Sequence, residues 1–323
     1  MKKSLFALAV LGAVAGAAQA QTAVTVYGAI DIGIVKVKNQ TTAIGRGDNN
    51  KLGFKGTEDL GGGLSALFQL EMRYEPDTGT TESAPNRPLF QGQTRVGLKG
   101  DFGTIRLGRG LTAAQDAIAV SEPWSFDSNR GNLVTFTTAG YNSDPLSPGS
   151  SQNRFSNALF YNSPVVGGFQ GNVTLATKEA QTSGTPAVNP YSLAGTYTNG
   201  PFSGVIAYER NAVETKFFNL GGAFDVVPGV KLQASYAQQK LGATGLKTKG
   251  YTFGGQFKVG GSGVILAGYG RNKPENTDKT DQFSLGYEHN LSKRTFLYVD
   301  AWDRRAPGVA AVHAVDVGMH HNF

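Results

Sequence analysis

The chain has 323 residues, a formal charge of +6 and no cysteine. Its 30 basic and 24 acidic residues are scattered, without the Lys/Arg run that marks a nucleic-acid binder. Without cysteine there is no disulfide framework, so stability must come from backbone pairing and packing.

The amino terminus reads as an export signal. Lys2 and Lys3 precede an apolar run, Leu5 to Ala18, and Ala18-Gln19-Ala20 is a small-x-small cleavage site before Gln21. The run is too short for a membrane helix, which needs about 20 apolar residues. The expected domains are thus a signal peptide over 1–20, cleaved between Ala20 and Gln21, and a single unit over 21–323. No later stretch is long and apolar enough to cross a bilayer as a helix.

From Val24 onward the chain alternates. Val24, Val26, Ile30, Ile32 and Ile34 share one face of an extended strand; Thr25, Tyr27, Asp31 and Gly33 share the other. Leu52 and Phe54 oppose Lys51 and Lys55. Leu64, Ala66, Phe68, Leu70, Met72 and Tyr74 oppose Ser65, Gln69, Glu71 and Arg73. Val96 and Leu98 oppose Arg95 and Lys99, Ile105 and Leu107 oppose Arg106, and Leu232, Ala234 and Tyr236 oppose Gln233, Ser235 and Ala237. The last strand puts Val315, Val317, Met319 and Phe323 on one side and Ala314, Asp316, Gly318, His320 and Asn322 on the other. These are half-polar strands of about ten residues.

Connections alternate too. Short turns fall at Gly61–Gly63, Asp101–Gly103, Val166–Gly168, Asn199–Pro201, Val227–Gly229, Gly260–Gly263 and Asn290–Ser292. Longer polar stretches lie near 39–50, 76–90, 111–152, 179–190, 211–216, 241–249, 272–281 and 304–311. Eight long loops imply about sixteen strands, and short turns at one end with long loops at the other are how transmembrane barrels are built. A strand with a lipid-facing side is stable only in a closed barrel. The fold class predicted is therefore all-β, a transmembrane 16-stranded antiparallel barrel. The last strand is expected to pair with the first.

The stretch 111–152, roughly 40 residues without a strand pattern, is long enough to suggest a function. Folded inward, it would narrow the lumen of a barrel of this size. It carries Asp116, Glu122, Asp127 and Asp144 with Trp124 and Phe126.

At this point the residues resemble a family. Val24-Thr-Val-Tyr-Gly28 with Asp31, Leu52-Gly-Phe-Lys-Gly-Thr-Glu-Asp-Leu-Gly61, Leu67-Phe-Gln-Leu-Glu71, Val96-Gly-Leu-Lys-Gly100, Phe102-Gly-Thr-Ile-Arg-Leu-Gly-Arg109, Arg154, Tyr161-Asn-Ser-Pro164, Leu291-Ser-Lys-Arg-Thr295 and the closing Phe323 occur in order along the chain. Together they resemble the trimeric general-diffusion porins of Gram-negative bacteria, in the neisserial and Bordetella-like branch. The resemblance implies a homotrimer in the outer membrane, in contact with its lipid and lipopolysaccharide, and a third loop folded into the pore. It also implies a terminal aromatic, Phe323, read by the barrel assembly machinery. The chain departs from the family at Asn50-Lys51, where Ser-Arg is usual, at Gln91-Gly92-Gln93, at Arg95, where an aromatic is common, and at Gly318-Met-His-His-Asn-Phe323.

The function expected is passive diffusion of small hydrophilic solutes and ions through a water-filled channel, by a sieve and an electric field. Lys51, Lys55, Arg73, Arg106 and Arg154 are expected on the pore wall, opposed by the loop acids Asp116, Glu122 and Asp127. A basic wall predicts a weak preference for anions. Tyr74, Tyr161, Tyr208, Tyr236 and Phe323 are candidates for interfacial girdles. No catalytic motif, cofactor or metal set is expected: no Gly-x-Ser-x-Gly or phosphate-loop pattern occurs, and the strand neighbours His320 and His321 face opposite sides. A solute-specific channel, a barrel adhesin and an outer-membrane hydrolase are the alternatives left open.

Overall fold

The computed structural model describes residues 23–82, 87–125, 131–146, 152–178 and 187–323. The expected signal segment 1–20, its Ala20/Gln21 junction and Asp127 lie outside them.

Among the described residues, seventeen strands form one antiparallel sheet that closes on itself. They are β1 (Ala23–Val37), β2 (Ala43–Gly45), β3 (Lys51–Gly61), β4 (Leu64–Arg73), β5 (Gln93–Gly100), β6 (Gly103–Leu111), β7 (Arg154–Asn162), β8 (Phe169–Ala176) and β9 (Tyr191–Asn199). The remainder are β10 (Phe202–Arg210), β11 (Lys216–Val227), β12 (Val230–Lys240), β13 (Lys247–Val259), β14 (Gly263–Pro274), β15 (Thr280–Asn290), β16 (Thr295–Arg305) and β17 (Val312–Asn322). Three-residue β2 is a patch beside β1, so the barrel wall has sixteen long strands.

The seam is the expected one. β1 pairs with β17 from Ala29↔Asn322 to Val37↔Ala314. Gly28 and Phe323 then exchange two backbone hydrogen bonds of 3.1 Å. On its other edge β1 is shared: Ala23–Ala29 pair with β3, and Gly33–Val35 pair with β2. Between β2 and β3 the chain leaves the wall, which frees residues 46–50 to return to it elsewhere.

The outer face is the apolar one. Val26, Ile34, Val96, Leu107, Ile206, Leu220, Phe253, Leu285 and Val317 are all exposed. In water such a belt would aggregate; in a bilayer it is the surface the fold requires. No described helix is long and apolar enough to cross a membrane.

The inner face carries a second layer. The stretch predicted to be irregular contains α1 (Ala113–Ala117), a 3-10 turn at Ile118–Ser121 and α2 (Val134–Thr137). Thr112 caps α1, accepting from the Gln115 N–H at 3.2 Å. This segment packs on inner-face residues in chain order. The N–H groups of Ala113 and Ala114 donate to Thr174 and Ser192 Oγ atoms at 3.0 and 2.9 Å. Gln233 Nε2 donates to the Val120 and Glu122 carbonyls, Gln256 Nε2 to that of Pro123, and the Trp124 indole to Asp300 at 2.9 Å. On the return, Gln282, Asn272, Asn219 and Asn211 donate to the carbonyls of Asn132, Thr135, Thr137 and Asn142.

Two features of the wall make this seat. Several inner positions on β9–β12 are apolar: Ala194, Val205, Ala207, Phe217 and Ala237 pack with Ala113, Ala114, Ile118 and Tyr141. Farther round, Trp124, Leu133 and Phe136 pack with Leu266. Inner-face glycines leave the depth required. A Cβ added at Gly270 would stand 2.5 Å from the Phe136 ring, and one at Gly254 would stand 2.7 Å from Pro123.

The seam yields a direct prediction. A Cβ at Gly28 would lie 2.4 Å from both the Phe323 ring and the Lys51 carbonyl oxygen. Gly28→Leu should therefore destabilise the barrel by about 2 kcal/mol, the usual scale of overpacking. Urea titration of the folded protein, followed by circular dichroism, measures it, and an unchanged midpoint would contradict this seating of Phe323.

Candidate functional site

The inner face divides into two arcs. β8–β16 carry the segment just described. Opposite it, β3–β6 present bases to open space. Lys55 on β3, Arg95 on β5 and Arg106 on β6 border a cavity of about 320 Å³ with Thr25 and Gln69. Arg95 and Arg106 also border a second cavity of about 270 Å³, whose far side is Thr112, Ala113, Asp116 and Val120. Asp116 is exposed on α1. The two cavities therefore share the two arginines, and an acid from the segment faces bases from the wall.

Each base is held. The Lys55 ammonium lies 5.0 Å above the Tyr27 ring. Arg95 donates Nε and Nη2 to Gln69 Oε1 at 3.1 and 2.9 Å, and its guanidinium lies 5.8 Å from the Phe160 ring. Gln69 Nε2 donates to the Tyr27 hydroxyl, which donates to Glu71 at 3.0 Å. Arg106 donates to the Asn162 side chain. A chain of hydrogen bonds thus runs from Glu71 through Tyr27 and Gln69 to Arg95 and fixes its charge in place.

The remaining wall candidates stand differently. Lys51 is half-buried across from Arg73 and has no ion pair among the described residues. Arg73 is inner-face but paired, donating Nε to Glu71 Oε1 at 3.0 Å and Nη1 to the Asn49 carbonyl. Arg154 is buried rather than open to the lumen. Its Nε donates to the Gly92 carbonyl at 2.6 Å and Nη1 to Asn153, so it ties two loop bases together. Strand parity turns Arg154 inward but cannot see the loops that cover it.

The loop acids also separate. Glu122 is fully buried within the segment, where it accepts from the Leu133 N–H at 2.9 Å. It braces the segment's two limbs and does not face the bases, unlike Asp116. Arg109 has outward parity at the end of β6 and donates to the Gln91 carbonyl and Ser156 Oγ, with Asp144 at 3.9 Å.

Sequence reasoning passed over two residues. Arg95 has the inward parity of Gln93 and Gly97, and that signal was readable from its neighbours Val96 and Leu98. Asp31 is legible in the sequence as an inward residue and as part of the opening motif, without a role. In the structure it is fully buried and accepts from the Tyr298 hydroxyl at 2.7 Å and the Gly47 N–H at 2.9 Å, with His320 Nδ1 at 3.1 Å. His320 is inner-face as expected, but it is covered, lying 3.7 Å from Asp48 and stacked on Phe296. Asn50 closes the group, bonding both the N–H and the carbonyl of Asp31. Asp31 is the seat on which residues 46–50 return to the wall.

Above it, the first two loops are laced by Glu82, which pairs with Arg46 and with Arg87 at 3.0 Å. Burial alone would raise the Glu82 carboxyl, but Arg46, then Arg87 and Arg73, outweigh it and hold it below the usual carboxylate range. Among the girdle candidates, Tyr161 donates to the Phe102 carbonyl at the short-turn end, and Tyr236 lies beside Tyr251. Tyr74 is the exception: its hydroxyl donates to the Ala29 carbonyl on β1 instead of facing the bilayer edge.

Comparison with known proteins accounts for this architecture. Residues 7–304 match the Gram-negative porin family. Outer membrane porin protein 32 of Delftia acidovorans is 33% identical, over 92% of this chain and 88% of that protein. An outer membrane porin of Bordetella pertussis is 30% identical over the full length of both. The solved structure of an anion-selective porin from Comamonas acidovorans superposes with a TM-score of 0.82 and 27% identity, covering 94% of this chain and all of that one. With a closed sixteen-strand wall, an apolar belt outside and charges inside, the chain belongs to the Gram-negative porin family and is an outer-membrane diffusion channel.

Proposed function

We propose that small hydrophilic solutes pass between α1 and the wall of β3, β5 and β6, and that this passage weakly prefers anions. The observation that carries the reading is the pair of cavities joined at Arg95 and Arg106, with Asp116 on the opposite bank. On this reading the segment over 111–152 lies in the lumen and sets the sieve. A low-dielectric wall around a narrow aqueous gap focuses the field of fixed charges. The field would run from Lys55, Arg95 and Arg106 towards Asp116 and orient dipolar solutes. Lys51 would extend the basic bank. Arg73 adds little, because Glu71 neutralises it. The acids on β1, β16 and β17 and in the 46–50 stretch compete weakly: Asp31, Asp300, Asp316 and Asp48 are all buried. The anion preference of the Comamonas porin agrees with this balance of charge.

The reading also includes a homotrimer. The outer faces of β3–β6 carry no lysine, and their single arginine, Arg109, is engaged by Gln91 and Ser156. Such a face suits contact with another copy better than contact with anionic headgroups. Native mass of the detergent-solubilised protein should correspond to three chains, and a monomer mass would refute the assembly.

Planar-bilayer recordings in a salt gradient test the channel itself. The wild-type reversal potential should have the sign of an anion-preferring pore. Replacing Arg95 and Arg106 by Glu should move it towards the cation side, whereas Arg154→Gln should leave its sign unchanged. No step conductance would refute the channel, and an unmoved potential in the double variant would refute the wall assignment.

A further inference from the structure

Two arginines of the inner face are held in the same way, and only one of them borders the passage. Arg95 donates Nε and Nη2 to a single oxygen, Gln69 Oε1, of the residue directly across from it on β4. Arg304 on β16 donates Nε and Nη2 to Gln282 Oε1 at 2.9 and 2.6 Å, and Gln282 again stands directly across, on β15. In both pairs the amide nitrogen is committed elsewhere, which fixes which end of the glutamine meets the arginine. Gln69 Nε2 donates to the Tyr27 hydroxyl; Gln282 Nε2 donates to the Asn132 carbonyl at 3.1 Å and to Ser284 Oγ at 2.9 Å. Rings complete both settings. Arg95 lies 5.8 Å from the Phe160 ring, and Arg304 lies 5.8 Å from that of Phe136 and 5.1 Å from that of Trp302.

How an arginine is held decides what its charge can do. Arg46, Arg73, Arg87, Arg271 and Arg305 each meet a carboxylate at contact distance. A glutamine oxygen fixes a guanidinium just as firmly and cancels none of its charge. Arg304 forms no ion pair among the described residues. Its cross-strand neighbours on the inner face, Gln282 and Val312, are uncharged. Asp300 lies four residues deeper on β16, about 13 Å at the rise of a strand, and there accepts from the Trp124 indole. Gln282 occupies the Nε edge of the Arg304 fork. The edge between Nη1 and Nη2 keeps its N–H donors and matches two oxygens of a carboxylate, sulfate or phosphate.

Its place in the wall is equally specific. Arg304 and Val312 form the last rung between β16 and β17, at the long-loop end. The amide that holds Arg304 also holds the Asn132 carbonyl, so the arginine stands where the segment over 111–152 meets the wall. Half-buried there, it is set apart from the Arg95 and Arg106 bank on β5 and β6. A fixed positive charge against a low-dielectric wall attracts anions before they reach the narrow part of a pore. A conducting site of this kind must bind weakly enough to release its ion.

We propose that Arg304 is a second anion station of the pore, on the long-loop side of the segment, whose Nη1–Nη2 edge binds a small oxyanion on its way to Arg95 and Arg106. The proposal rests on the reading above that the segment lies in the lumen. Inorganic phosphate is the probe, with chloride at equal ionic strength as the control. Trp302 is one of only two tryptophans, so its emission reports on the neighbouring guanidinium. In the detergent-solubilised protein, phosphate should change that emission saturably, and Trp302→Phe and Arg304→Gln should each abolish the change. Arg304→Lys keeps the charge without the planar fork and should raise the half-saturating phosphate concentration at least about tenfold. In planar bilayers the phosphate conductance should saturate in the wild type and become nearly linear in Arg304→Gln. That variant should still conduct chloride with an unchanged sign of reversal potential, which shows that it is folded. An emission change that chloride reproduces, one that survives Arg304→Gln, no saturable change in the wild type, or an Arg304→Lys titration like that of the wild type would overturn the proposal. A cation-preferring wild type would instead refute the ion preference of the passage and leave the emission titration to decide the station.

Discussion

Every feature of this protein depends on closing the sheet between its first and last strands. Inside a bilayer an unpaired N–H or C=O has no water to bond, so a lipid-facing sheet cannot keep an edge. Ala29–Val37 and Ala314–Asn322 supply that closure from opposite ends of the sequence. The seam also fixes the interior. Because β1 is shared between β3 below and the short β2 above, residues 46–50 are released from the wall and settle on Asp31. Asp31 lies on the seam itself, opposite His320. Closure and the docking of the first loop are thus one event in structural terms.

The second consequence concerns the asymmetry of the inner face. A barrel with a uniformly polar lining would give a long connection no preferred resting place. Here one arc is lined by Ala194, Val205, Ala207, Phe217 and Ala237, which water solvates poorly, and by glutamines and asparagines that reach backbone carbonyls. The segment after β6 satisfies both, and its own apolar side chains are buried in return. The arc across from it keeps Arg95 and Arg106 half-buried at the edge of the two cavities. Position of the segment and position of the charge are therefore set by the same distribution of small, apolar and basic residues around the ring.

Much of this was legible in the chain. Alternation gave the faces of β1, β3, β4, β12 and β17, the order of short and long connections gave the strand count, and the closing strand pointed to its partner. Alternation failed where both faces carry apolar residues, as on β10 and β11, because a period-two signal needs contrast. It also treated parity as accessibility. Arg154 and Glu122 have suitable charge and position, yet Arg154 is covered by the stretch around Gly92 and Glu122 by the second limb of its own segment. Arg95 shows the reverse: its parity was plain, but its importance came only from Asp116 standing across a shared cavity. The role of Asp31 depends on a loop returning from 46–50, and no local pattern encodes that return.

The central claim is that solutes pass between Asp116 and the Arg95/Arg106 wall, and the lack of native cysteine makes it directly accessible. Asp116→Cys supplies a single thiol beside the proposed passage. Ser235→Cys supplies one beneath the segment, where Ser235 is buried against Thr252. A bulky thiol reagent added during bilayer recording should reduce the current sharply in the first variant and leave the second unchanged. Full current through a modified Asp116→Cys channel, or equal block in both variants, would contradict the account.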